Sequence, residues 1–281
     1  MPATRLLTLL AALAFATAAP AAYVSENRTI VSNGVTRSFV LARPSPLPAG
    51  ALPLVFSLHG DGGTGADQRA ALPLEAQAAS GAVFVYPNAA DGSTFEYYTY
   101  QGRTAEVRFV QDLIVALGAE FGIDTQRVYI AGFSGGATMA NALGCRLGPA
   151  VVRGLAIHSG TLYPVDDAMG NPDFTYTGNG GVSCPLPATI MLWGQADMEG
   201  GVSYAEGLGV RDNYRATQNC ANTTQPVFVS PCVRYDGCGR ELDWCSIPGM
   251  GHQIWSGAAQ SIWAFIAGSA AAPVLFANGF E

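Results

Sequence analysis

The stretch that most constrains this chain is Val128-Tyr-Ile-Ala-Gly-Phe-Ser-Gly-Gly-Ala-Thr-Met-Ala140. Arg127-Val-Tyr-Ile-Ala131 is a β-rich apolar run, and Ala137-Thr-Met-Ala-Asn-Ala-Leu143 is a good helix former. Between them, Gly132, Ser134 and Gly136 spell G-x-S-x-G. In such a turn a serine sits between a strand and a helix, its hydroxyl raised above the end of a sheet. The turn is strained, and flanking glycines give the backbone room for it. Gly and Ser are common in loops, so the motif alone is weak; the strand before it and the helix after it carry the argument.

Around this corner, short apolar strands alternate with helices. Tyr23–Gly34 and Val35–Arg43 read as two strands about an Asn33-Gly34 turn, followed by strands at Leu52–Leu58 and Ala82–Tyr86. A helix broken by Pro73 covers 66–80, and a second runs over Thr104–Phe121 with Val107, Val110, Ile114 and Leu117 on one face. Asp91–Arg103 and Tyr163–Pro187 read as loops. Further strands are expected at Val151–Ile157 and Thr189–Trp193, a helix at Leu208–Cys220, a hairpin from Val227–Tyr235 and Glu241–Ile247, and a last helix at Ile254–Ala267. The pattern predicts a single α/β domain, a mainly parallel central sheet with helices on both faces.

Chemistry is bounded by what is missing. All 14 basic residues are arginine, so Ser–Lys dyads, Schiff bases and a P-loop lysine are excluded. The formal net charge is −7 with no basic cluster, which argues against nucleic acid as a partner. Met1–Arg5, the apolar Leu6–Ala19 and the small residues up to Ala22 read as a secretory signal peptide over 1–22, too short to anchor in a membrane. The expected divisions are therefore a leader at 1–22, a catalytic domain at 23–268 and a tail at 269–281. A periplasmic or extracellular monomer is expected. Six cysteines in an exported chain imply disulfides, with 15 possible connectivities. No C-x-x-C occurs, so neither a metal nor a redox site is expected, and no cofactor.

A serine hydroxyl needs a base to take its proton. The chain has three histidines, His59, His158 and His252. The order Ser, acid, His of α/β-hydrolases leaves only His252, because His59 precedes Ser134 and residues 135–157 hold no acid. The acid should stand at a strand end; Asp197 follows the buried run Thr189–Trp193, with Glu199 in reserve. The oxyanion of a tetrahedral intermediate needs two N–H donors: Gly135, after the serine, and Asp61 in His59-Gly-Asp-Gly-Gly63, with Gly62 as the alternative.

Leu58-His-Gly-Asp-Gly-Gly63, Gly132–Ala140, Trp193-Gly-Gln-Ala-Asp197 and Gly249-Met-Gly-His252 resemble secreted esterases of the polyhydroxybutyrate-depolymerase and feruloyl/acetylxylan esterase group. The resemblance spans roughly residues 35–267 and implies the α/β-hydrolase fold with a Ser134–Asp197–His252 triad acting on a carboxylic ester. The chain departs from the family at Trp193 and Gln195, where a small residue and Thr are usual, and it lacks the proline after the histidine. Trp255 is either a shifted counterpart of the family's tryptophan or part of the core. The resemblance also implies a Cys220–Cys238 bridge. Cys232 and Cys245 can then face each other across the hairpin, leaving Cys145 with Cys184. Phe95, Tyr97, Tyr98 and Tyr100 form either an aromatic platform for substrate or a loop packed on itself; Tyr97 and Tyr98 are the candidate contacts. Two other functions compete with an esterase: a serine peptidase on the same fold, and an inactive hydrolase fold that binds a polymer or carbohydrate.

Overall fold

Runs in which every side chain is buried become central strands, and periodic runs become the helices that cover them. In this computed structural model, residues 22–227 and 229–271 are described. A long hairpin opens the chain, β1 (Ala22–Ser32) and β2 (Val35–Ser45), followed by β3 (Leu54–Leu58), α1 (Gly65–Ala71), α2 (Glu75–Ala78) and β4 (Val83–Pro87). Next come α3 (Tyr100–Phe121), β5 (Val128–Phe133), α4 (Gly135–Leu147), β6 (Gly154–His158) and β7 (Ala188–Gly194). The chain continues through α5 (Tyr204–Thr217), β8 (Thr224–Pro226), β9 (Cys232–Tyr235), β10 (Leu242–Ile247) and α6 (Ala258–Ala271).

Among the described residues, ten strands form one sheet in the order β1-β2-β4-β3-β5-β6-β7-β10-β9-β8. The strands from β4 to β10 in that order run parallel, with antiparallel strands at both edges. Because side chains alternate across a strand, β3 feeds both faces. Leu54, Phe56 and Leu58 join one core with Phe109, Leu113, Met139 and Leu143 of α3 and α4. Val55 joins the other with Leu72, Leu74, Ile262 and Phe265. Helices on both faces of a mostly parallel sheet in one domain give the layered α/β architecture that the pattern predicts.

Local signals moved several boundaries. α3 starts at Tyr100, not Thr104, because the Thr99 side chain accepts the Gly102 N–H at 3.0 Å and caps the first turn. α5 starts at Tyr204, not Leu208, through a capping box between Ser203 and Glu206. α6 starts at Ala258, not Ile254, and runs past residue 268. Of the expected first strand of the last hairpin, Val227–Tyr235, β9 covers the end and pairs with β10, while β8 lies before Val227 and pairs with the other side of β9. The expected leader falls outside the described residues except for Ala22, as does the tail beyond Ala271.

Three disulfides cross the fold. Cys145–Cys184 ties α4 to the 159–187 loop, Cys220–Cys238 closes the segment after α5, and Cys232–Cys245 joins directly paired positions of β9 and β10.

Candidate active site

Four neighbouring parallel strands, β5, β6, β7 and β10, deliver their C-terminal ends to one edge of the sheet, where open α/β sheets place their ligands. Ser134 follows β5, His158 ends β6, Asp197 follows β7 and His252 follows β10. Ser134 adopts φ 55° and ψ −123°, a strained conformation for a residue with a Cβ. The turn is closed tightly enough that a methyl on Gly132 would overlap the Gly136 carbonyl, and one on Gly136 would overlap the carbonyls of Leu58 and His59. Both positions therefore demand glycine.

The structure brings Ser134, His252 and Asp197 together. His252 Nε2 lies 2.9 Å from Ser134 Oγ, and Nδ1 lies 2.9 Å from Asp197 Oδ2. Asp197 is fully buried, and its second oxygen accepts the Glu199 N–H at 3.0 Å. Glu199 itself is exposed and contributes only that backbone contact to the cluster. Backbone bonds lock the acid loop to the histidine loop: Gln195 N–H donates to Ile247 and Ala196 N–H to Met250, both at 2.9 Å. The buried Asp197 carboxylate accepts the His252 Nδ1–H and so turns the bare Nε2 toward Ser134 Oγ.

Asp61 sits directly over Gly135: its carboxylate occupies the space a Gly135 side chain would need. Tyr97 OH donates to Asp61 Oδ2 at 2.5 Å, and the Tyr98 hydroxyl is 2.7 Å from that of Tyr97. The two candidates for the second N–H donor differ. Gly62 N–H is already given to the Ser93 carbonyl at 3.1 Å. Among the described residues, the Asp61 and Gly135 amides have no such partner. His59 shapes this loop: its Nε2 accepts Ala89 N–H at 3.2 Å, so Nδ1 carries the proton and donates to Gly60 O at 2.8 Å. Burial lowers its pKa and keeps it neutral.

The aromatic loop divides. Phe95 and Tyr97 turn inward into the core, while Tyr98 is 62% exposed with its ring 4.1 Å from that of Tyr97. Tyr100 lies under the Arg146 guanidinium, 4.0 Å from it. Arg103 is buried and holds the loops beside the site, donating to the carbonyls of Tyr97 and Tyr163 and pairing with Asp173 at 2.9 Å. Trp255 is half-buried, lies before α6 rather than in it, and packs at the edge of the second core.

Two residues here escaped the sequence argument. Phe133, the variable position of G-x-S-x-G, stacks on His252 with ring centroids 4.9 Å apart. His158, set aside by chain order, lies fully buried between the serine turn and the His252 loop. Neither is signalled by local pattern, because both matter through contacts made across the sheet. Among the described residues, no group of three or more His, Cys, Asp or Glu could hold a metal ion.

A fold and a site of this kind define a class, the α/β-hydrolases, within which sequence comparison is specific. The chain belongs to the esterase PHB depolymerase family, whose profile matches residues 38–179, just over half of the sequence. No curated protein sequence matches it. Solved structures similar to it include an acetyl xylan esterase from Aspergillus awamori, at 14% identity and a TM-score of 0.65, covering 86% of this chain and 99% of that one. An S-formylglutathione hydrolase from Staphylococcus aureus aligns at 12% identity and a TM-score of 0.57, over 90% and 98% of the two chains. Esterase PE8 aligns at 18% and 0.53, over 79% and 94%. At these identities the structures speak for the fold, and the family for the activity: the protein is a carboxylic ester hydrolase.

Proposed function

We propose that the protein is an exported serine esterase that works through an acyl-enzyme. The observation that carries this is the placement of His252 at 2.9 Å from both Ser134 Oγ and Asp197 Oδ2. Ser134 Oγ bonds to the ester carbonyl carbon while its proton passes to His252 Nε2. Asp197 holds the His252 Nδ1–H and balances the imidazolium. The N–H groups of Asp61 and Gly135 take the developing oxyanion. The C–O bond to the alcohol then breaks, and His252 returns its proton to the departing oxygen. Water repeats the sequence on the acyl-enzyme, with His252 again as base, and releases the acid.

The substrate class follows the resemblance: a polyester such as polyhydroxybutyrate, or feruloyl or acetyl esters of plant polysaccharide. Tyr98 and Trp255 are the candidate contacts, and Tyr97 supports Asp61. Three disulfides support a location outside the cytoplasm, with the leader at 1–22 removed. Among the described residues no helix is long and apolar enough to cross a membrane. The test is turnover on p-nitrophenyl acyl esters, methyl ferulate, acetylated xylan and polyhydroxybutyrate side by side. Hydrolysis of one of the three natural ester types well above the p-nitrophenyl background is expected. Cleavage of peptides with no ester hydrolysis would overturn the proposal.

A further inference from the structure

His158 lies in the sheet between the strands that carry the serine and the acid, and it bonds both to Ser134 and to the loop that carries His252. Its backbone carbonyl accepts the Ser134 N–H at 2.9 Å. Its ring Nε2 accepts the Trp255 N–H at 3.0 Å, within one turn of chain from His252. An N–H can only donate, so Nε2 is the bare nitrogen and Nδ1 carries the proton, 3.4 Å from Ser159 Oγ. Phe133 fills the remaining space: its ring meets His158 edge-on at 5.3 Å and His252 face-on at 4.9 Å. The His158 side chain is wholly out of solvent. A buried imidazole with one lone pair aimed at one amide is a fixed peg.

We infer that His158 is a positioning residue for the esterase reaction, setting the Ser134–His252 hydrogen bond by fastening the His252 loop to the serine turn. This rests on the proposed serine mechanism. The backbone bond to Ser134 survives any side-chain change, so the ring contributes its packing against Phe133 and the Trp255 bond, and of these only the Trp255 bond needs an acceptor at Nε2. Without it the 252–255 segment loses its backbone N–H bond to β6 and is held by Asp197 and its loop, by Phe133 against His252 and by Trp255 on the second core, and His252 Nε2 can drift from Ser134 Oγ. Burial keeps His158 neutral, with its pKa lowered to about 3, so the acceptor persists at any pH where the enzyme would work. A histidine that only fills the core would leave turnover alone when replaced by a residue of equal volume.

Met and Gln have similar size and reach, but only Gln can present an acceptor where Nε2 lies. With p-nitrophenyl acetate, His158→Met should lower kcat about 10- to 100-fold with KM changed by less than about threefold, the signature of an interaction lost in the transition state. His158→Gln should recover most of that loss. Equal kcat in the two variants, or a loss confined to KM, overturns the inference. If His158→Met does not fold, as judged by circular dichroism, replacing the Trp255 amide by an ester linkage deletes the donor and keeps both side chains. The same fall in kcat is expected there, and an unchanged kcat refutes the proposal. Ser134→Ala is assayed alongside: a dead Ser134→Ala with a fully active His158→Met refutes the positioning role alone. An active Ser134→Ala refutes the serine mechanism beneath it.

Discussion

Asp197→Asn is the sharpest perturbation of this site, because two hydrogen bonds decide what the new amide must do. In the native protein Oδ1 accepts the Glu199 N–H and Oδ2 accepts the His252 Nδ1–H, both at about 3 Å. An amide has one acceptor and one donor group. If its oxygen keeps the Glu199 N–H, its NH₂ faces His252 Nδ1. The imidazole then shifts its proton to Nε2, which faces Ser134 and can no longer accept. If the amide flips, His252 keeps its tautomer, but the NH₂ confronts the Glu199 N–H in a buried place, at roughly 1–3 kcal/mol for the unmet donor. Either way the charge that stabilises the imidazolium is gone. The equivalent change in a serine protease triad costs roughly 10⁴ in turnover, equivalent to about 5 kcal/mol of barrier. We expect a fall of that order in kcat for p-nitrophenyl acetate, with the fold retained by circular dichroism. Glu199→Gln, on an exposed side chain, should stay within about twofold of wild type. A near-wild-type Asp197→Asn beside a crippled Glu199→Gln would refute the reasoning.

Further outcomes follow from the same geometry. Gly135→Ala would push a methyl into the Asp61 carboxylate and displace both proposed oxyanion donors, so kcat should fall about 10²- to 10³-fold, read by steady-state kinetics. Removing Cys145–Cys184, whose partners are 39 residues apart, should cost about 4 kcal/mol by loop-closure entropy. That would lower the thermal midpoint by on the order of 10 °C, while turnover at 25 °C persists because no cysteine touches the site. His158 gives stability a pH dependence of definite sign. The folded chain keeps it neutral down to about pH 3 because burial disfavours its charge, whereas the unfolded chain takes up a proton from about pH 6.5 downward. Stability should therefore decline as pH falls through that window, by up to about 1.4 kcal/mol per pH unit from this group. His158→Gln should flatten the curve of thermal midpoint against pH, and an unchanged slope would contradict the assignment.

Much of this architecture is legible in the chain itself, for identifiable physical reasons. Strands buried on both faces, such as Val83–Pro87 and Gly154–His158, are continuous apolar runs and are hard to mistake. Ser134 is marked by a glycine-framed turn and Asp197 by a strand end, His252 follows from chain order among three histidines, and the sheet order brings the three side chains together. α3 is less transparent because its buried face includes Arg103 and Glu106. Arg103 is satisfied by carbonyls and Asp173, and Glu106 by Arg37 at 3.0 Å, so charged residues occupy positions that periodicity reserves for apolar ones. Tyr97 reads equally as a substrate contact or as part of a loop packed on itself, and pattern does not show that its ring joins the core while its hydroxyl serves Asp61. His158 and Phe133 are invisible to pattern, since their partners lie on other strands and loops. Thr64-x-x-Asp67 and Ser203-x-x-Glu206 are capping-box patterns in the sequence itself, and they mark the starts of α1 and α5.

The central claim is that Ser134 is the nucleophile, and the most direct measurement is covalent trapping. The purified enzyme is treated with a fluorophosphonate and the adduct is mapped by peptide mass spectrometry. Oγ should displace fluoride from phosphorus to leave one adduct per chain, on the peptide containing Gly132-Phe-Ser-Gly-Gly136, with esterase activity lost in proportion. Ser134→Ala should neither label nor turn over p-nitrophenyl acetate. An adduct on another residue, or full hydrolysis by Ser134→Ala, would contradict the account.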